Sequence, residues 1–217
     1  MSFYDGVLEE ILKKYTASSE YHIFKNARDQ YNNLTGKLDE EFPNFEARMN
    51  MFQDWFVFNY RTPSGRRIVD LYMDEHELEK DIELALHQVK FSVFHFQKYS
   101  FTKKIVLYDL ISGKKMGLSK KHPSLGIMKD DLFVGRLLSV GKEHFLTPGL
   151  TILPNTIISK IKKQAKKVKS MHDPYKEEEF LLNLERLNAK SFQYKHIDPQ
   201  QLFDFSKEGF FSKDKLH

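Results

Sequence analysis

The stretch from Lys90 to Pro154 most constrains how this chain can fold. β-Branched and aromatic residues alternate there between turn signals, whereas the sequence on both sides has a helical periodicity. A period of two places successive side chains on opposite faces of a strand. The runs are short and are separated by turn residues, which is typical of antiparallel strands. The stretch therefore predicts a small antiparallel β-barrel or bent sheet of about five strands.

The strand limits follow from the turn residues between the alternating runs. Gly113 and Gly141 lie where tight turns are expected, because glycine tolerates a positive φ. The predicted strands cover residues 91–96, residues 105–110, the region around Met116 and Leu118, residues 132–140, and a last run that ends near Pro148.

Apolar residues at steps of three and four predict helices before and after the β unit. Asp173-Pro174 and Asp198-Pro199 predict helix starts, since Asp is a good N-cap and Pro suits the first helical position. Thr156 is a predicted N-cap, and the run from Trp55 to Phe58 is predicted core. The fold class is therefore α+β. Its predicted sections are residues 1–89 (helical), residues 90–153 (the β unit) and residues 154–217 (helices packed on the rest).

Composition excludes several classes of protein. The 217 residues include no cysteine, so disulfides, thiol nucleophiles and thiolate metal sites are absent. No apolar run reaches the roughly 20 residues of a membrane span. The N-terminus has no basic segment followed by an apolar one, as a signal peptide would. We expect a cytoplasmic protein with no membrane span.

Charge is distributed unevenly along the chain. The formal net charge is +4, yet residues 1–89 carry 10 Lys and Arg against 17 Asp and Glu. Residues 90–172 carry 17 basic residues against 4 acidic ones. A strongly basic section predicts either an anionic partner or an acidic–basic interface within the molecule or between copies.

Three short motifs resemble those of a largely uncharacterised bacterial family. They are the Trp55-Phe56-Val57-Phe58 helix end, the strand reaching Asp109 to Gly113, and Gly135-Arg136-Leu137 in a second strand. The resemblance covers about half of the chain. Many relatives look to end in a Cys-rich zinc motif of the SecA type, which this sequence lacks because it has no cysteine. The resemblance implies no activity.

No arrangement of residues points to catalysis, a metal or a cofactor. There is no H-E-x-x-H, phosphate loop or dinucleotide fingerprint. Ser100 to Lys103 matches S-x-x-K without the companion motifs of that enzyme class. Asp109 is predicted to cap its turn or pair with a base, and Arg136 to point outward or pair with Asp109 or Asp131. An enzyme is the least favoured class, and no catalytic, metal or cofactor residue is predicted.

Lysines interleaved with aromatic residues make nucleic acid the predicted partner. Phe94, Phe96, Tyr99, Phe101 and Tyr108 are the aromatic residues concerned. The candidate phosphate contacts are Lys98, Lys103, Lys104, Lys114, Lys115, Lys120 and Lys121, with Lys162, Lys163, Lys166 and Lys167 on a Lys-rich helix.

Two other interpretations stay open. Arg66 and Arg67, just before a predicted helix, form a second candidate anion site or an exposed loop. The alternative function is a protein-interaction or regulatory module, including self-association, that uses acidic–basic complementarity.

Overall fold

The computed structural model describes residues 3–122 and 126–205. Within them, five helices precede an antiparallel five-stranded sheet and three helices follow it. The helices are α1 (Phe3–Thr16), α2 (Tyr21–Thr35), α3 (Phe45–Phe58), α4 (Ile68–Glu75), α5 (Lys80–His87), α6 (Ile158–Ser170), α7 (Pro174–Gln193) and α8 (Pro199–Leu202). The strands are β1 (Lys90–Tyr99), β2 (Ile105–Asp109), β3 (Lys115–Gly117), β4 (Leu132–Val140) and β5 (Glu143–Leu153). The α+β class is confirmed.

The helix ends follow the sequence signals with one exception. Asp173 and Asp198 each accept hydrogen bonds from backbone N–H groups two or three residues later, as N-caps do. Gly36 ends α2 with a φ of 91°. Thr156 is not an N-cap. A 3₁₀ turn over Asn155–Ile157 leads directly into α6 without a side-chain cap.

The sheet has the strand order β3-β2-β1-β4-β5 and stays open. Between its two ends, the described residues form only a parallel bridge from Leu118 to His144. A barrel needs a continuous ladder between the first and last strands, and β3, with three residues, is too short to supply one. The prediction of a small barrel was therefore wrong, and the bent-sheet alternative describes the fold.

The two faces of the sheet pack in different environments. Val93, Val134 and Leu138 face the helices and join a core that includes the buried run from Trp55 to Phe58. The opposite face curls over a second cluster of buried residues, which are Phe94, Phe96, Leu107, Leu118, Phe133, Leu137, Leu146 and Leu150. Trp55 to Phe58 is core, as predicted.

Helix α3 crosses β5 at a point where no side chain fits. The Gly149 N–H donates to Asp54 Oδ2 at 2.8 Å, and the Tyr4 hydroxyl donates to Asp54 Oδ1 at 2.5 Å. A Cβ at position 149 would lie 2.3 Å from Asp54 Oδ2 and 2.8 Å from the Asn50 carbonyl oxygen. Glycine is therefore required here for close approach of the backbones.

Candidate nucleic-acid interface

Residues 90–172, the basic section, form no ion pairs with residues 1–89, the acidic section, within the described part of the chain. Among the described residues, every ion pair of residues 1–89 has both partners in that section. The pairs of residues 90–172 likewise stay within their own section. The excess of positive charge on the basic section therefore stays available to a partner.

Three of the candidate lysines line one cavity at the end of the sheet where β1 passes into β2. Its volume is about 570 Å³, and Lys103, Lys104 and Lys120 contribute to its walls. The other lining residues are Tyr99, Thr102, Ile105, Leu118, Ser119, His122 and Ile127. None of the three lysines takes part in an ion pair within the described part of the chain. The described lining residues include no carboxylate, so this part of the cavity favours an anion.

The connection from Ser100 to Lys104 forms one wall and is tightly hydrogen-bonded. The Ser100 N–H donates to the Lys104 carbonyl at 2.8 Å, and the Lys103 N–H donates to the Ser100 carbonyl at 2.9 Å. The Lys104 N–H donates to Ser100 Oγ at 3.0 Å. Lys103 adopts a φ of 60°, which turns the chain back into β2. Phe101, at the tip of this connection, is fully exposed.

The opposite wall, from Leu118 to His122, is attached to β5 and β2. The Ser119 N–H donates to the His144 carbonyl at 2.8 Å, and the Leu118 N–H donates to the Ile105 carbonyl at 2.9 Å. The His122 Nε2 accepts the Leu146 N–H at 2.8 Å. These bonds hold the backbone that carries Lys120 at a fixed distance from β2.

Lys121 differs from the three cavity lysines because a carboxylate is near it. Its Nζ lies 3.8 Å from Glu143 Oε2. Glu143 also accepts the Ser119 hydroxyl at 3.0 Å. Lys121 lies beside the cavity, and Lys98 is exposed on β1 next to Tyr99.

The pKa values of two histidines are lowered in part by nearby lysines. Burial and then the positive charge of Lys104 lower the pKa of His144. Burial and then the charge of Lys162 lower the pKa of His95, although Asp130 opposes this. The lysines therefore create a positive potential that reaches into the protein at two places.

The remaining candidate lysines lie away from the cavity. Lys114 and Lys115 are exposed at the other end of the β2–β3 hairpin. Lys162, Lys163, Lys166 and Lys167 are exposed on α6, whose apolar residues Ile161, Ala165 and Val168 are buried in the core. The Lys169 ammonium donates to the Ser112 carbonyl at 2.8 Å, so the end of α6 adjoins the β2–β3 turn. The candidate lysines thus form two separate groups on the protein surface.

Both arginines of the second candidate anion site already have carboxylate partners. Arg66 lies 2.5 Å from Asp74, and Arg67 binds Asp70 through two nitrogens, at 2.6 and 2.9 Å. Burial alone would raise the pKa of Asp70, but the hydrogen bonds and the charge of Arg67 lower it below its usual value. The anion site stays a prediction, and these contacts give it no support.

The polar residues singled out in the β unit have structural partners. Buried Asp109 accepts the Ile111 N–H at 2.9 Å and the Ser92 hydroxyl at 2.6 Å, and it pairs with Lys90 at 2.5 Å. Burial alone would raise the pKa of Asp109, but hydrogen bonds from Lys90, Ser112 and Ser92, together with the charge of Lys90, lower it. Asp109 therefore both caps its turn and pairs with a base.

Arg136 pairs with neither Asp109 nor Asp131, contrary to the alternatives predicted for it. It is fully buried, donates to Asn59 Oδ1 at 2.8 and 3.1 Å, and lies 3.9 Å from the Phe91 ring centroid. Asp131 instead accepts the Met128 N–H at 2.6 Å. The bulge that shifts the β4–β5 register between Gly135 and Leu137 coincides with the inward turn of Arg136 toward α3.

Sequence reasoning missed a buried carboxyl between α2 and α7. The Tyr31 hydroxyl donates to Glu185 Oε2, and Glu185 is 4% exposed. Burial raises the pKa of Glu185 to about 7, although Tyr31, Arg136 and Arg48 oppose the shift. The two partners are 154 residues apart in the chain, so no local pattern could have connected them.

Neither metal nor membrane signatures occur in the described part of the chain. No group of three or more histidine and acidic side chains there is placed to bind a metal ion. None of the described helices has both the length and the apolar composition needed to cross a bilayer.

Comparison with known proteins places the chain in one family. No curated protein and no solved structure matches it. A family model, described as a family of unknown function (DUF7986), matches residues 6–195. This agrees with the expected uncharacterised family, while the particular motifs of the resemblance stay a prediction. Since the match covers most of its length, the chain belongs to the DUF7986 family of unknown function.

Proposed function

We propose that this protein is a binding module for nucleic acid and that the cavity between the 100–104 connection and the 118–122 segment is its contact site. One observation carries the proposal. Lys103, Lys104 and Lys120 line a cavity whose described lining residues include no carboxylate and do include the exposed ring of Tyr99. Phe101, in the connection that forms one wall, is fully exposed. Cationic grooves with aromatic side chains are typical of proteins that bind nucleic-acid strands.

The electrostatics support a polyanion rather than a single small anion. Lysines on two walls of the cavity can each contact a different phosphate. The exposed lysines of α6 (Lys162, Lys163, Lys166 and Lys167) extend the positive charge beyond the cavity. A phosphate backbone that leaves the cavity could contact this second group, which would add affinity without sequence information.

Salt-dependent binding tests the proposal. We expect a fluorescent mixed-sequence oligonucleotide of about 16 nucleotides to bind at about 50 mM salt and to dissociate as salt rises to about 200 mM. The triple variant Lys103→Gln, Lys104→Gln, Lys120→Gln should bind at least about tenfold more weakly. The slope of log affinity against log salt should fall by about 2, because three phosphate contacts are lost.

A charge-matched variant controls for net charge. Lys25, Lys80 and Lys190 are exposed and lie on α2, α5 and α7. Their joint substitution by Gln removes the same charge without touching the cavity, so the slope should stay close to that of the unmodified protein. Absence of binding even at low salt would refute the proposal. An equal effect of both triple variants would show that the lysines of the cavity make no special contact.

A protein-interaction module is the second candidate, because exposed carboxylates remain on α4, α5 and the segment between them. They are Asp74, Glu75, Glu77, Glu79, Asp81 and Glu83. None of these forms an ion pair with the basic section in the described part of the chain. Two copies could pair the acidic surface of one with the basic surface of the other. Sedimentation at low salt distinguishes this candidate, since it predicts a dimer or larger assembly that separates as salt is added.

A further inference from the structure

We infer that the cavity accepts an unpaired base, so that the protein binds single-stranded nucleic acid in preference to duplex, with Phe101 as a stacking surface. This inference rests on the proposed function and specifies the form of its ligand. It follows from the exposure of two neighbouring rings, of which Tyr99 lines the cavity, from the apolar part of the lining and from the type of cation in it.

Phe101 is exposed at a place where the backbone is fixed. The residues on each side of it, Ser100 and Thr102, are joined by a hydrogen bond of 3.0 Å between their hydroxyl oxygens. The backbone hydrogen bonds of the 100–104 connection close the turn that carries Phe101. A base that stacks on Phe101 therefore meets a preorganised surface, so little ordering of the chain is required on binding.

Tyr99 is also held while much of its surface remains accessible. Its ring contacts the buried Phe96 edge-on, with centroids 5.0 Å apart and planes at 80°. Even so, Tyr99 is 56% exposed and lines the cavity. The ring is therefore fixed by the second core on one side and available to a ligand on another.

The lining of the cavity combines apolar and cationic side chains. Ile105, Leu118 and Ile127 line it, and all three belong to the second core or pack against it. Its volume of about 570 Å³ lies within the range of about 300–1,000 Å³ for pockets that enclose small organic groups. A ligand that fits both parts has a flat, weakly polar group attached to an anion, as a nucleotide unit does.

A duplex does not match these features. It presents phosphates at its surface but keeps its bases stacked inside, so Phe101 and the apolar lining of the cavity would stay without a partner. A single strand offers bases that can be unstacked and inserted. The cations are lysines, which lack the rigid two-pronged donor of arginine, so we expect little dependence on base sequence.

Comparison of a single strand with its duplex tests the inference. We expect a labelled mixed-sequence strand of about 16 nucleotides to bind at least about tenfold more tightly than the same strand annealed to its complement. Phe101→Ala should weaken single-strand binding by about tenfold and leave duplex binding and the salt slope unchanged. Phe101→Trp should retain the affinity. Tyr21→Ala, which removes an exposed ring from α2, is the matched control and should have no effect.

Each contrary result has a separate meaning. Equal binding of strand and duplex, with no effect of Phe101→Ala, overturns the inference while the lysine variants still report on the proposed function. Failure of both nucleic acids to bind overturns both. If a nucleoside monophosphate competes as well as the unlabelled strand, the ligand is a free nucleotide and the single-strand inference is wrong. Because the Phe101 side chain is fully exposed, its substitution should not change the unfolding temperature, which can be measured directly.

Discussion

Glu185 should make the stability of this protein fall as pH rises from about 4.5 to about 7. The carboxyl is 4% exposed, and its Oε1 is buried without a hydrogen-bond partner among the described residues. Burial disfavours the ionised form and raises the pKa of Glu185 from 4.5 to about 7. Tyr31 donates to Oε2 and opposes this shift only in part.

The sign and size of this effect on stability follow from the pKa of Glu185 in the unfolded chain and in the folded protein. The folded protein holds a proton on Glu185 in a range of pH in which the unfolded chain has released it. The stability from this proton is fully present below a pH of about 4.5 and is lost as pH rises through about 7. A pKa that changes from 4.5 to about 7 corresponds to about 3 kcal/mol, since each pKa unit is equivalent to about 1.4 kcal/mol.

Urea unfolding of Glu185→Gln from acid to mildly alkaline pH measures this contribution. The variant keeps the shape and neutral charge of the protonated carboxyl. Its free energy of unfolding relative to the unmodified protein should therefore increase by about 3 kcal/mol between pH 4 and pH 8. Glu83→Gln on α5, where the carboxylate is exposed, is the control and should give a constant difference. A constant difference for Glu185→Gln as well would show that the pKa of Glu185 is not raised by folding.

Two further predictions concern the fold and the cavity. Gly149→Ala places a Cβ against Asp54, so the free energy of unfolding should fall by at least about 2 kcal/mol in denaturant titrations. At Gly117 nothing lies within 4 Å of an added Cβ, so Gly117→Ala should change the free energy of unfolding by less than about 0.5 kcal/mol. Equal destabilisation by the two substitutions would mean that the close approach at Gly149 does not require glycine. Lys104→Gln should raise the pKa of His144 in NMR titrations, because it removes a positive charge that lowers it. An unchanged pKa would mean that Lys104 does not act on His144.

Local sequence patterns predicted the secondary structure well because they depend on neighbours in the chain. The five expected strands are all present, and β2 and β4 match within a residue. Asp173-Pro174 and Asp198-Pro199 start helices because the cap and the first helical residue are adjacent. Closure of the sheet could not be predicted, since it depends on how far β3 continues to pair.

The candidate site was predicted only in part. Its lysines were evident from the charge distribution, but their grouping depends on the bridge between Leu118 and His144, which joins distant segments. Among the aromatic residues of the β unit, the sequence could not separate Phe94 and Phe96, which are buried, from Tyr99 and Phe101, which are exposed. A bulge between Phe96 and Lys98 shifts the register of β1 and changes which face each later side chain occupies.

The sequence leaves two roles open for the C-terminal Phe203, Phe205, Phe210 and Phe211, which are docking on a partner and sealing the core. Phe203 is buried and Phe205 packs against the helix-facing core, so these two seal the core. Phe210 and Phe211 lie outside the described residues.

NMR mapping of a bound single-stranded oligonucleotide locates the proposed contact site on the protein. We expect the largest changes in backbone amide shifts at residues 99–105 and 118–122, and a rise in the His144 pKa as phosphate screens Lys104. Both changes should weaken as salt is added. Shift changes confined to the acidic surface of α4 and α5, or absent at low salt, would contradict the proposed contact site.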